Sequence, residues 1–116
     1  MRLIPVLLST VVAVATLAPA ISFAQLDSVG EGRRVWLKYN CSGCHGNNAA
    51  GGMGPNVQHA ERGDVTEAMN GDAREGGMRS FAGIAKPKDA ANIAAYLATI
   101  GTAKEPKWLD WWNPIP

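Results

Sequence analysis

The sequence predicts an all-α fold of three to four helices, and two observations lead to this prediction. Apolar side chains recur every three or four residues in residues 29–39 and again in residues 89–100, which is the spacing of one helix face. Between these segments the chain is rich in glycine and proline, and it shows no alternating pattern typical of a β-strand. We therefore expect a small helical domain with long connecting loops.

The first predicted helix has an apolar face with a glycine in its middle. This face consists of Val29, Gly32, Val35, Trp36 and Tyr39. A glycine inside a helix costs about 1 kcal/mol relative to alanine, so Gly32 is best explained by a second helix that crosses closely. We expect Ile93 and Tyr96 of the last helix to pack on this face at the glycine.

Two further helices follow from local signals. Asp64 can cap a short helix over residues 65–70, and Glu67, three residues later, can bond back to the start of that helix. The last helix is predicted from Asp89 to Ile100 and is closed by Gly101.

Residues 41–45 read Cys-Ser-Gly-Cys-His, which is the attachment pattern of a c-type haem. Two thiols separated by two residues reach the two vinyl groups on one side of a porphyrin, where they form thioethers. The histidine that follows then lies beneath the iron, where a neutral imidazole nitrogen can ligate it. We therefore predict one covalent haem c bound through Cys41 and Cys44, with His45 as an axial ligand and the helices packed around the porphyrin.

Three other interpretations of the two cysteines are weaker. A thioredoxin-like redox pair requires a βαβ pattern around it, and the chain shows none. A structural zinc site needs four ligands, but the chain has two Cys and two His, and His59 has no matching spacing. Two cysteines in an exported protein would normally suggest a disulfide, but here both are assigned to the haem, so none remains for one.

The loop after the motif carries four glycines and one proline in residues 46–56, which excludes regular structure there. We expect this loop to lie on the histidine side of the haem. Pro55 is placed to present its backbone carbonyl to the second ring nitrogen of His45, which would fix the orientation of the ring.

Four side chains are candidates for the second axial ligand. Met78 is preferred because it lies 33 residues after His45, in a glycine-rich loop that can cross to the opposite haem face. Met53 is too close to His45 in sequence, and Met69 falls on a predicted helix, where core packing is the simpler role. His59 would give two imidazole ligands and a lower potential, and it remains an alternative.

The N-terminus predicts export. Arg2 is followed by an apolar run of 16 residues from Leu3 to Ala18, and Ser22-Phe23-Ala24 is typical of a cleavage site. We predict a signal peptide at residues 1–24 that is cleaved, rather than an uncleaved anchor, because a membrane span needs about 20 apolar residues. The rest divides into a domain at residues 25–101 and a Trp- and Pro-rich tail at residues 102–116.

The charge pattern gives no sign of a nucleic-acid partner, and we expect none. The chain has 11 Lys and Arg, one of which is Arg2, against 10 Asp and Glu, and the charges are interspersed. No basic patch is visible. We expect a monomer without stable membrane insertion.

These features together resemble the class I c-type cytochromes, the small soluble bacterial type with one haem. The resemblance covers nearly all of residues 29–100. The matching features are Gly32-x-x-x-Trp36 and residues 41–45, 52–56, 77–81 and 93–97. The motif also lies near the start of the chain, unlike in four-helix-bundle cytochromes. One departure is Arg79, because the family often has proline directly after the ligand methionine.

The resemblance implies a periplasmic one-electron carrier that is not an enzyme. It would accept electrons from a dehydrogenase and pass them to a terminal oxidase or another acceptor. Residues 110–116 more loosely resemble the endings of cytochromes that serve quinoprotein alcohol dehydrogenases. Trp108, Trp111 and Trp112 either fold back on the domain or form a docking surface. The alternatives are a haem enzyme, a gas-binding sensor with an open sixth position, and a tethered subunit of a larger complex.

Overall fold

The computed structural model describes residues 11–15 and 26–107, and there the predicted all-α fold is confirmed. No β-strand occurs among these residues. Most of the predicted signal peptide and the three tryptophans of the tail lie outside them. The helices are α1 (Ser28–Lys38), α2 (Ser42–His45), α3 (Arg62–Glu67) and α4 (Asp89–Leu97). A π-helical segment, Ala68–Asp72, continues α3, and a 3-10 turn, Arg74–Gly76, follows it.

Helix α1 lies within one residue of its prediction at both ends. The side chain of Asp27 caps it by accepting a hydrogen bond of 2.7 Å from the backbone N–H of Gly30. Such a cap contributes about 1 kcal/mol, because it satisfies a donor that the helix itself leaves free. Glu31 in the first turn and Lys38 in the last complement the helix dipole.

The predicted crossing of the first and last helices is confirmed at Gly32. A Cβ atom on Gly32 would lie 1.8 Å from the backbone oxygen of Asn92 in α4 and 3.0 Å from the backbone nitrogen of Ile93. Nearby, the rings of Trp36 and Tyr96 pack with their centroids 6.1 Å apart. Only a residue without a side chain allows this approach, so the glycine brings the two helices together.

The core lies where α1, α3 and α4 meet. Helix α4 packs against both of the other two. The buried core residues are Val35, Trp36, Ala49, Val65, Met69, Phe81, Ile93, Tyr96, Leu97 and Ile100.

Two predicted helix boundaries were wrong. Helix α3 begins at Arg62 after Glu61, so Asp64 lies in the first turn, where it interacts with the helix dipole, and no side chain caps this helix.

Helix α4 ends at Leu97 rather than at Ile100. Beyond it, the backbone N–H and the hydroxyl of Thr99 both bond the carbonyl of Tyr96, at 3.0 and 2.6 Å, which tightens the chain into turns.

Within the two described ranges, no helix combines the length and apolarity that crossing a membrane requires.

Candidate functional site

The Cys-x-x-Cys-His motif forms a short helix, α2, which begins a few residues after the end of α1 and has Cys41 as its N-cap. Asn40 separates the two helices with a left-handed backbone conformation, at φ 55°. The N–H of Cys41 donates to the carbonyl of Trp36 at 3.0 Å, which links the start of α2 to the last turns of α1. The N–H of His45 bonds the carbonyl of Cys41 at 3.0 Å. One helical turn thus carries both thiols and the imidazole.

The imidazole of His45 is oriented by the loop that follows it. Its Nδ1 lies 2.8 Å from the backbone oxygen of Pro55, which confirms the bond predicted from the sequence. A carbonyl oxygen only accepts hydrogen bonds, so Nδ1 carries a proton, and in the neutral imidazole Nε2 then keeps a free lone pair. This is the tautomer that a metal-ligating histidine requires.

Glycines allow the loop to lie flat against the motif. A Cβ atom on Gly54 would stand 2.9 Å from both Cε1 and Nδ1 of His45, and one on Gly52 would stand 2.9 Å from the carbonyl oxygen of Cys44. Backbone hydrogen bonds hold this arrangement. The N–H of Gly54 donates to the carbonyl of Cys44 at 2.8 Å, and the N–H of Gly51 donates to the carbonyl of His45 at 2.7 Å. The imidazole therefore has backbone packed on one side and little room to turn.

Trp36 of α1 packs beside the imidazole. The centroids of the Trp36 and His45 rings are 6.1 Å apart, at an interplanar angle of 43°. Both residues are buried, with exposed fractions of 3% and 8%. The indole Nε1 finds no acceptor among the described residues. From the sequence, Trp36 was predicted only on the face toward α4, because a contact with the histidine depends on how α2 folds back.

The two cysteines are unpaired, and their surroundings differ. Cys44 is exposed, whereas Cys41 is half-buried. Burial raises the pKa of the Cys41 thiol to about 11. Redox pairs of the thioredoxin type need an accessible first cysteine with a lowered thiol pKa, so this pair is unsuited to that chemistry. Two free thiols on one helical turn beside an imidazole with a free Nε2 fit the attachment of a c-type haem.

The structure places the four candidate second ligands in different environments. Met69 is 5% exposed and lies in the core, as the sequence predicted, whereas Met53 is 90% exposed. His59 is exposed and has a left-handed backbone conformation, with φ at 60°. Met78 is half-buried against the core. The assignment of Met78 as the second ligand stays a prediction.

Arg79 and Phe81, which follow Met78 along the chain, belong to a network that was not predicted from the sequence. The Tyr39 hydroxyl donates a hydrogen bond of 2.6 Å to Oδ2 of Asp89. The ring centroids of Tyr39 and Phe81 are 5.2 Å apart. The guanidinium carbon of Arg79 lies 5.0 Å from the Phe81 ring centroid. The bond to Asp89, together with burial, raises the pKa of Tyr39 to about 12. Phe81 and Asp89 lie 42 and 50 residues after Tyr39 in the chain, so no local sequence signal marks this network.

One comparison with known proteins gives a match. A family model described as Cytochrome C oxidase, cbb3-type, subunit III matches residues 27–97, which is more than half of the chain. No curated protein and no solved structure matches the chain.

Proposed function

Because the chain belongs to the cytochrome c family described as Cytochrome C oxidase, cbb3-type, subunit III, we propose that it is an exported one-electron carrier with a His/Met-ligated haem. The family establishes the coarser part of this statement: the chain is a small c-type cytochrome with a covalent haem c, and it carries electrons. Members of this family are usually electron carriers rather than enzymes.

The observation that carries the proposal is the hydrogen bond between Nδ1 of His45 and the carbonyl of Pro55, at 2.8 Å. It orients the ring and, in the neutral imidazole, sets the tautomer that leaves Nε2 free for a metal. Since a buried imidazole in this state presents one lone pair in one direction, His45 is the proposed first axial ligand. Cys41 and Cys44, on the same helical turn, are the proposed attachment points.

Met78 is the proposed second axial ligand. When bound, the haem supplies an iron that gains and loses one electron. A thioether opposite an imidazole favours the reduced iron more than a second imidazole does, and so raises the potential. Met78 is supported by its half-buried position against the core, while Met69 is taken up by core packing and Met53 is almost fully exposed. With both ligands retained in both oxidation states, the protein has little to rearrange.

We place the carrier in the periplasm, after cleavage of the proposed signal peptide at residues 1–24. Electrons would pass during brief encounters with redox partner proteins. Weak redox complexes have small interfaces, below about 1,200 Å² of total buried area, which allows fast release. The domain at residues 25–101 would then act as a monomer, with the tail at residues 102–116 packed on it or used for docking.

A terminal oxidase is the proposed acceptor, and the family description, which names a cbb3-type oxidase, supports an oxidase of that type. A periplasmic dehydrogenase is the proposed donor. A quinoprotein alcohol dehydrogenase in that role rests only on the resemblance of residues 110–116, and the comparisons give it no support.

The same description favours a second candidate function, a subunit that stays within an oxidase complex. The intact mass of the protein isolated from cells separates the two. The carrier is expected to lack residues 1–24 and to be released by osmotic shock. A subunit is expected to keep the apolar segment at Leu3–Leu17 and to copurify with oxidase from membranes.

One optical spectrum of the exported protein, oxidised and then reduced, tests the ligation. We expect sharp low-spin bands of a thioether-linked haem and the weak far-red band of an Fe(III)–methionine bond. Haem bands without that far-red feature would favour His59 or an open iron, and ready carbon monoxide uptake by the ferrous protein at neutral pH would favour the sensor alternative. The absence of haem, in a host able to attach it, would contradict the proposal built on residues 41–45.

A further inference from the structure

The segment that carries Met78 is held at both ends. At its start, the N–H of Met78 bonds the carbonyl of Ala73 at 3.2 Å. At its end, Phe81 is 5% exposed, and its N–H bonds the carbonyl of Met69 at 2.7 Å. Backbone bonds fix where this segment begins and ends, but the position of Phe81 also depends on what its ring touches.

The ring of Phe81 touches two side chains of different chemistry. The Arg79 guanidinium lies over it at 5.0 Å, and this arginine stands where the family often has proline. The ring of Tyr39 lies 5.2 Å away at an interplanar angle of 37°. Tyr39 directly follows α1 and lies two residues before Cys41. One aromatic contact therefore joins the proposed attachment side of the haem to the proposed ligand segment.

Tyr39 is itself held by the first residue of α4. Its hydroxyl donates to Oδ2 of Asp89 at 2.6 Å, and the same oxygen accepts the backbone N–H of Lys86 at 2.8 Å. Asp89 is only 4% exposed, so its carboxylate depends on these donors in place of water. A hydrogen bond to a buried charge is among the stronger ones in a protein. The phenol ring therefore has a defined position against Phe81.

From these contacts we propose that Tyr39 is a positioning residue for the sixth ligand. Through Asp89 on one side and Phe81 on the other, it holds the Met78 segment in the position from which the thioether reaches the iron. This inference rests on the proposed assignment of Met78. It adds that the strength of that ligation is set by a hydroxyl that does not itself touch the iron.

The test is a titration of the oxidised holoprotein with imidazole, which competes with the methionine. Loss of the far-red Fe(III)–methionine band gives the apparent affinity. Tyr39→Phe keeps the ring but removes the hydroxyl, and we expect imidazole to bind about tenfold more tightly, as loss of a hydrogen bond to a charged group implies. Asp89→Asn keeps an acceptor oxygen without the charge, so we expect an intermediate increase.

Tyr96→Phe is the matched control. It removes a hydroxyl from Tyr96, a buried residue of α4 whose ring packs on Trp36 of α1. The imidazole affinity of this variant should equal that of the wild type. Denaturant unfolding of both tyrosine variants measures any general loss of stability. If Tyr39→Phe loses stability but binds imidazole like the wild type, the tyrosine is merely structural and the inference is overturned.

The outcomes also separate this inference from the proposed function. A wild-type far-red band with equal imidazole affinities in all variants overturns the role of Tyr39 alone. A wild-type protein without that band overturns the Met78 assignment, and the positioning role falls with it.

Discussion

Replacing Gly32 by alanine tests the helix crossing on which the fold depends. The added Cβ atom would lie 1.8 Å from the backbone oxygen and 2.4 Å from the backbone carbon of Asn92. Contacts between non-bonded heavy atoms are comfortable at about 3.5 Å, so α1 and α4 would have to separate by roughly 1.7 Å at this point. A main-chain carbonyl inside a helix cannot turn aside as the end of a flexible side chain can.

The magnitude follows from two opposing effects. Overpacking a well-packed contact costs about 1–3 kcal/mol, and a clash with backbone belongs at the upper end of that range. Alanine is the better helix former, which offsets this cost by about 1 kcal/mol of helix stability. We therefore expect Gly32→Ala to lower the free energy of unfolding by about 2 kcal/mol, or the melting temperature by about 10 °C for a domain of this size.

Urea unfolding of the holoprotein, followed by far-ultraviolet circular dichroism, measures this change. Gly63→Ala is the matched control, because Gly63 also lies in a helix but an added Cβ would meet nothing within 4 Å. We expect this control to be neutral or up to about 1 kcal/mol more stable than the wild type. If Gly32→Ala unfolds at or above the wild-type urea midpoint, the close crossing of α1 and α4 is refuted.

The remaining predictions concern the haem site. Met78→Ala should abolish the far-red band, lower the reduction potential and allow the ferrous protein to bind carbon monoxide at neutral pH; an unchanged potential and spectrum would contradict the ligand assignment. Cys44→Ala should leave a single thioether and a much lower yield of holoprotein, measured as haem absorbance per protein, and a normal yield would count against attachment at this cysteine. Gly54→Ala should displace the His45 ring, since its Cβ would lie 2.9 Å from that ring, and should also lower the yield, whereas full occupancy with an unchanged spectrum would show that the loop gives way. The pKa of Tyr39 is raised to about 12 from an ordinary 10.0, so its contribution to stability should be complete below pH 10 and lost as the pH rises toward 12. Tyr39→Phe should remove that part of the pH dependence, and parallel urea midpoints for the two proteins across this range would argue against the bond to Asp89.

Much of the site could be predicted because its determinants are local. The spacing within residues 41–45 places two thiols and an imidazole together in any helical turn. The bond from His45 to Pro55 was predictable for a similar reason, since ten residues of glycine-rich loop leave few ways to cover the ring. Helix α1 was predicted to within one residue from its apolar period, and the cap at Asp27 that the structure shows agrees with that period.

Helix ends were less predictable, because several local signals compete there. Asp64 followed by Glu67 has the pattern of a capping box, but α3 begins before it, at Arg62. Gly101 was a reasonable stop for the last helix, yet Thr99 ends the regular helix earlier by bonding the carbonyl of Tyr96. For α4 the competing bond from Thr99 is visible, whereas α3 begins at Arg62 without a side-chain cap, so neither boundary could be ranked from spacing alone.

Fold class, cofactor chemistry and the glycine contact between helices can be derived from residue type and spacing alone. They depend on periodicity and on groups that are close along the chain, and both are visible in a sequence. Only the tertiary structure brings Tyr39 to Phe81 and Asp89, or Trp36 to His45, because these contacts require α1, α2 and α4 to meet at particular angles. Such angles result from the packing of all the core side chains together, and no single stretch of the chain encodes them.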